Sequence, residues 1–193
     1  MAPFSRPTSD SAPGAAEFFG WYEANIDYVW RTLRRLGIPA ADLADLSHDV
    51  FVVAWKQRAE IDPERPVKPW LFGVTFRVAA NHRRRGWFRW RHDHELDSLT
   101  APGLDPEQHA QLRAELEQLD AALSELPLKL RAVLLLHDFD EASPKDIRAA
   151  LGIPLQTVYS RLAAARKRFQ QAFRKAAFGP KMIEGQALLG EQQ

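Results

Sequence analysis

SPKDIRAALGIPLQTVYSRLAAARKRFQQAF, running from Ser143 to Phe173, decides the fold of this chain, because it has the layout of a DNA-reading helix-turn-helix. A short helix places Ile147 and Leu151 on one face, and Gly152 to Pro154 make a tight turn. A longer helix starts near Pro154, whose fixed φ suits a first helical position. Its apolar residues Val158, Leu162, Ala165, Phe169 and Ala172 recur at helical spacing and mark the buried side. The opposite side carries Gln156, Thr157, Ser160, Arg161, Ala164, Lys167 and Arg168, with Tyr159 at its edge. In this motif the second helix lies in the major groove and its first turns reach base edges. From Ile147 to Ile183 there is no acidic residue, so nothing nearby in the chain repels phosphate.

Working outward, the charges are segregated although the formal net charge is only +1. Val67 to His92 holds one Lys and six Arg without an acid, and Asp93 to Glu125 holds nine acids against the single base Arg113. Two cationic blocks divided by an acidic stretch imply two nucleic-acid-facing modules and a linker that avoids phosphate. With 193 residues, 46% of them hydrophobic, the chain can bury one large core or two small ones. The absence of cysteine excludes disulfides and thiolate metal sites, as expected of a cytoplasmic protein. Residues 1–16 lack an apolar signal region and read as a disordered arm, residues 179–193 read as a short tail, and no apolar run reaches membrane-spanning length.

Nearly every periodic stretch is helical. The spacing predicts a first helix from about Ala16 to Leu36 with Phe19, Tyr22, Ile26, Val29, Leu33 and Leu36 as its stripe, stopped by Gly37. A second runs from about Ala40 to Arg58, burying Leu43, Leu46, Val50 and Val53 beside a face with Asp42, Asp45 and Asp49. Ile61 to Pro69 is a Pro-rich loop, and Pro69 opens a third helix in which Leu71, Val74 and Val78 pack inward. Gly86 ends it. Helices from about Glu107 to Leu123 and from Leu128 to His137 then precede the helix-turn-helix pair. The expected fold is all-α: two small helical bundles joined by a flexible acidic linker, the C-terminal one a helix-turn-helix.

LADLSHDVFVVAW, RPVKPWLFGVTFRVAANHRRR and LSELPLKLRAVLLLHDFDEASPKDIRAALGIPLQTVYSRLAAARKRF, in this order, resemble the extracytoplasmic-function (ECF) sigma factors of bacterial transcription, roughly from Glu17 to Phe178. The resemblance implies a region 2 over residues 17–92, a linker over 93–113 and a region 4 over 114–178. It implies that Asp42, Asp45, Leu46, His48, Asp49 and Phe51 dock on the β′ clamp helices of core RNA polymerase. It implies that the third helix engages the −10 promoter element, with the loop before it, roughly Gln57 to Lys68, capturing a flipped base. We assign Trp70, Arg77, Asn81, Arg83, Arg84 and Arg85 to that role; Arg77, Asn81 and Arg84 share one face. Stacking on an aromatic ring is worth about 1–3 kcal/mol per unstacked base. For the −35 element the match selects Gln156, Thr157, Tyr159, Ser160 and Arg161, with Arg166 and Lys167 as phosphate clamps, and it seats region 4 on the β flap. Family members are often held by an anti-sigma factor. Departures from the family pattern are Ala44, His48, the Thr75-Phe76-Arg77 run, Arg148 and Gln156, so no promoter sequence is carried over.

Other motifs point less far. Trp87 to Arg91, WFRWR, either stacks on separated strands or caps the bundle. His92, Asp93, His94 and Glu95 offer ligand types but no helical His pair and no second cluster, so no metal or other cofactor is expected. No phosphate loop, nucleophile elbow or paired-carboxylate pattern appears, which reads as a protein without catalysis of its own. The rival readings are a stand-alone regulator that binds duplex operator DNA and a helical metal-dependent hydrolase built on the His cluster.

Overall fold

The computed structural model describes residues 15–61, 66–85 and 105–178. Among these residues every regular element is helical. The arm, the WFRWR run, the His92–Glu95 quartet, Gly86 and the tail lie outside the described residues.

The first bundle is α1 (Ala15–Arg35), α2 (Ala40–Lys56) and α3 (Val67–Arg85). Gly37, at φ 85°, ends α1 in the left-handed region that glycine tolerates best. Ile38 N–H donates to the Leu33 carbonyl at 3.1 Å and Gly37 N–H to that of Arg34 at 2.7 Å, which satisfies the carbonyls of the last turn. The buried stripe is broader than periodicity predicts: Tyr28 and Thr32 join Val29, Leu33 and Leu36, because α1 packs against α2 and α3 and also meets the second bundle. Phe19, expected in the stripe, is 60% exposed and stacks on Tyr22, while Phe18 packs against Trp55 at 4.8 Å. In α3, Leu71, Phe72 and Val74 are buried, and Pro69 falls in the first turn, where its missing N–H breaks no bond.

The second bundle opens with α4 (Pro106–Ser124). Its start is a capping box: the Asp105 carboxylate accepts from Gln108 N–H at 2.8 Å, and the Gln108 amide accepts from Asp105 N–H. Helix α4, expected from about Glu107, starts one residue earlier at Pro106 and packs against α7 (Leu155–Phe178). Between them come α5 (Leu128–Leu134), a π-helical turn over Leu135–Phe139, and α6 (Pro144–Leu151).

The two bundles share one hydrophobic core. Helix α3 lies on α6, so close that a Cβ on Gly73 would stand 2.3 Å from the Ala150 carbonyl oxygen. Arg131, only 2% exposed, bonds both bundles. Its guanidinium donates to the carbonyls of Ser124 (2.8 Å) and Leu126 (3.2 Å) at the end of α4, and to that of Arg35 (3.4 Å) at the end of α1. Burial first, then the charge of Arg83, pulls the Arg131 pKa down to about 10, with Asp120 opposing. The charge is retained because helix C-termini present unsatisfied carbonyls and negative dipole ends.

Gly73→Ala should lower the urea midpoint by an amount worth about 1–3 kcal/mol, since the added methyl overpacks a backbone contact. Gly20→Ala, where nothing lies within 4 Å of the new Cβ, should raise it by about 0.5–1 kcal/mol. An equal rise for both substitutions would contradict the close approach of α3 and α6.

Candidate nucleic-acid interface

The helix-turn-helix forms as its sequence dictates. Ser143 caps α6, its Oγ accepting from Asp146 N–H at 3.2 Å, and Pro144 occupies the first turn. Gly152, at φ 63°, makes the left-handed turn that lets α7 start at Leu155. Ile147, Ala150, Val158, Leu162 and Ala165 are buried, which fixes the rotation of α7. That rotation leaves Gln156, Tyr159, Ser160, Arg166 and Lys167 exposed, with Thr157 and Arg161 half-exposed. All seven residues assigned to −35 reading therefore lie on the accessible side of one helix. Arg148 is also exposed.

Arg166 is already engaged. Its Nε donates to Asp138 Oδ2 at 3.1 Å and its Nη2 to Asp138 Oδ1 at 2.5 Å, with His137 Nδ1 at 3.1 Å. The hydrogen bond from the Arg166 guanidinium holds the Asp138 carboxyl below its ordinary range against burial, and His137 adds to the lowering. The π-helical turn, which carries His137 and Asp138, makes this grip possible.

The second cationic element, α3, is split along its length. Residues Leu71 to Thr75 are buried, whereas Arg77, Asn81, Arg84 and Arg85 are exposed toward its C-terminal end. Arg77 Nη1 reaches the Ala150 carbonyl of α6 at 3.5 Å. Arg83 is half-buried, and burial lowers its pKa. Trp70 is also half-buried, with its ring 6.3 Å from Trp21, so it belongs to an aromatic cluster with Phe51, Tyr22 and Phe18 and is no free stacking platform here.

On α2, Asp45, His48 and Asp49 are exposed. Asp42 is half-exposed and lies 3.1 Å from His82 Nε2 of α3. Leu46 and Phe51, named with them from the resemblance, are buried in this structure beneath that face, Phe51 with its ring 4.5 Å from that of Tyr22.

Sequence reasoning missed Tyr28, Arg131, His137, Asp138 and Asp140, all of which bond across elements. One signal existed: Arg131 is the single charge within the apolar run LRAVLLL, a position where a cation is buried only with dedicated acceptors. Among the described residues no cluster of His, Cys, Asp and Glu that could hold a metal ion occurs, and no helix is long and apolar enough to cross a membrane.

Comparisons with known proteins give a consistent result. The family model of Sigma-70 region 2 matches residues 21–89, and that of Sigma-70, region 4 matches residues 116–169. The RNA polymerase sigma factor NccH of Alcaligenes xylosoxydans xylosoxydans is 31% identical over 137 residues, covering 69% of this chain and 74% of that protein. The ECF RNA polymerase sigma factor SigL of Mycobacterium tuberculosis is 31% identical over 163 residues, covering 82% of this chain and 89% of that protein. In fold, the chain is similar to the sigma factor RpoE solved in complex with the anti-sigma factor NepR from Bartonella quintana. That match has a TM-score of 0.65 at 20% identity and covers 83% of this chain and 98% of that one.

Asp138→Asn should reduce stability at pH 7 by about 0.5 kcal/mol, the scale of an exposed ion pair. Because the folded-state pKa is depressed, this contribution is present above the unfolded carboxyl pKa and is lost as pH falls through the lower folded value. Denaturation of wild type and variant should thus converge on the acid side, and a difference independent of pH would contradict the assignment.

Proposed function

The chain belongs to the ECF sigma factors of bacterial RNA polymerase, and on that footing we propose how its described faces divide the work of transcription initiation. A sigma factor directs core polymerase to promoters, and bond formation in RNA remains the polymerase's chemistry. The observation that carries the division is the exposure pattern: Asp45 and Asp49 of α2, Arg77, Arg84 and Arg85 of α3, and Arg166 and Lys167 of α7 are exposed on three different helices.

Asp45, His48 and Asp49, with Asp42 at the edge, present an acidic surface suited to the basic clamp helices of β′. Arg77, Asn81, Arg84 and Arg85 take the −10 element, with Arg83 behind them and Trp70 held in the aromatic cluster beside the loop. Region 4 reads the −35 duplex through Gln156, Thr157, Tyr159, Ser160 and Arg161. Arg166 and Lys167 neutralise backbone phosphate, which supplies affinity and salt dependence without sequence preference. Region 2 spans residues 17–92, the linker 93–113 and region 4 114–178 in this reading, and the protein works in the cytoplasm. RpoE is bound by an anti-sigma factor in its solved complex, and a protein partner of that kind suits this chain too. A stand-alone operator-binding regulator is not favoured, because the region 2 match supplies a polymerase-docking module that such a regulator does not need.

In vitro transcription with core polymerase over a genomic promoter library tests the reading: selective initiation is expected, and its absence contradicts it. Arg161→Ala should weaken −35-dependent initiation by about tenfold, the scale of one base contact, while core binding is unchanged. Asp49→Lys should reduce holoenzyme formation by about tenfold, as like charges meet at the clamp, while the duplex affinity of the helix-turn-helix stays the same. Equal loss of both activities in either variant would overturn the division of labour.

A further inference from the structure

A third concentration of cations lies where the two bundles meet, and it includes Lys68 at the end of the loop assigned above to base capture. Tyr28, Arg31 and Arg35 follow one another at i, i+3 and i+7 on α1, which puts them on one side of that helix. Lys68 stands in the first turn of α3, its Nζ 5.9 Å from the centre of the Tyr28 ring. An anion from the other bundle already sits among them. The Tyr28 hydroxyl donates to Asp140 Oδ2 at 2.5 Å and lies 3.4 Å from the Lys68 carbonyl oxygen.

Burial pushes the Asp140 carboxyl up, while the Tyr28 hydroxyl and the charges of Arg35, Lys68 and Arg31 pull it down. Burial also raises the Tyr28 hydroxyl, and Asp140 adds to it, so this group remains a donor. The Tyr28 hydroxyl bonds the carboxylate, and Arg35, Lys68 and Arg31 act on it through charge against the cost of burial. The residue after it, Glu141, takes φ 53°, a left-handed conformation that non-glycine residues adopt at an energetic cost. A cleft of about 490 Å³, lined by Trp21, Asn25, Lys68, Asp140 and Asp146, opens beside the contact.

We propose that Tyr28, Arg31, Arg35 and Lys68 form a seat for a backbone phosphate of single-stranded promoter DNA, and that Asp140 fills this seat as an intramolecular phosphate mimic while the bundles are closed. The proposal rests on the sigma-factor reading. A phosphodiester and a carboxylate carry the same unit charge and offer similar acceptor oxygens, so cations and a hydroxyl that hold one suit the other. Lys68 opens the helix that also carries Arg77, nine positions on and roughly 13 Å along the axis. A strand held at the exposed end of α3 therefore finds the seat further along the same helix once α6 has moved away. Closure and strand binding become mutually exclusive, and any partner that separates the bundles, core polymerase first among them, exposes the seat.

The test uses the full chain and a short fluorescent single-stranded oligonucleotide of mixed sequence. Asp140→Asn should bind it about three- to tenfold more tightly than wild type, because the competing state is depopulated. Adding Lys68→Ala and Arg31→Ala, both at exposed positions, should abolish that gain. In the holoenzyme, where the proposal has the bundles apart, Lys68→Ala alone should flatten the salt dependence of promoter opening by about 0.7 in log–log slope, the value for one single-strand phosphate. No gain with Asp140→Asn, a gain that survives loss of both cations, or an unchanged slope with Lys68→Ala would each overturn the seat. If holoenzyme forms normally and the variants are silent, the seat alone falls. If no holoenzyme forms even with the wild-type chain, the sigma-factor reading falls instead.

Discussion

The buried guanidinium of Arg131 is the constraint on which the arrangement of this chain depends. It collects the carbonyls that end α4 and the one that ends α1, so a single side chain fixes two helix termini from different bundles. A charge so deeply buried is tolerable only where its donors find acceptors, and helix C-termini are where backbone acceptors stand free. With those ends fixed, Arg35 lies with its guanidinium carbon 5.0 Å from the centre of the Phe139 ring, Asp140 meets Tyr28, and α6 settles on α3 at Gly73. Polar, cation–π and backbone contacts thus converge on one seam. The apolar core runs through it without a break.

The seam bears directly on function. In the proposed division of labour the cations of α3 take promoter DNA, yet in the closed chain Arg77 touches α6 and the first half of the helix is buried. The recognition helix α7 keeps its polar face accessible, although Arg166 is occupied by Asp138. Duplex contact is therefore available before strand contact. This order suits a factor whose duplex-reading and strand-reading elements sit on different bundles.

Much of the fold was legible in the sequence. The 3.6-residue pattern placed α1, α2 and α3 within a few residues, and the Gly152–Pro154 turn between two amphipathic stretches defined the helix-turn-helix. Periodicity reports one face per helix, however, and it misjudged helices with neighbours on more than one side. That is why Phe18 displaced Phe19 from the core. The helix read from about Glu107 starts at Pro106, behind the Asp105–Gln108 capping box. Contacts between bundles left almost no trace in the sequence. Tyr28 and Asp140 are 112 positions apart, and neither stands out from its surroundings. The π-helical turn that positions His137, Asp138 and Phe139 was likewise indistinguishable from ordinary helix.

The central claim is that the bundles are closed on one another in the free chain and part on the polymerase. The sequence contains no cysteine, so thiol labels can be introduced singly at exposed positions of α1 and α7, as Glu23→Cys and Gln170→Cys. Pulsed dipolar spectroscopy of the doubly labelled chain measures the separation directly. The account predicts one narrow, short distance for the free protein, replaced by a longer one when core polymerase is added. A broad distribution in the free protein, or the same distance in both states, would contradict it.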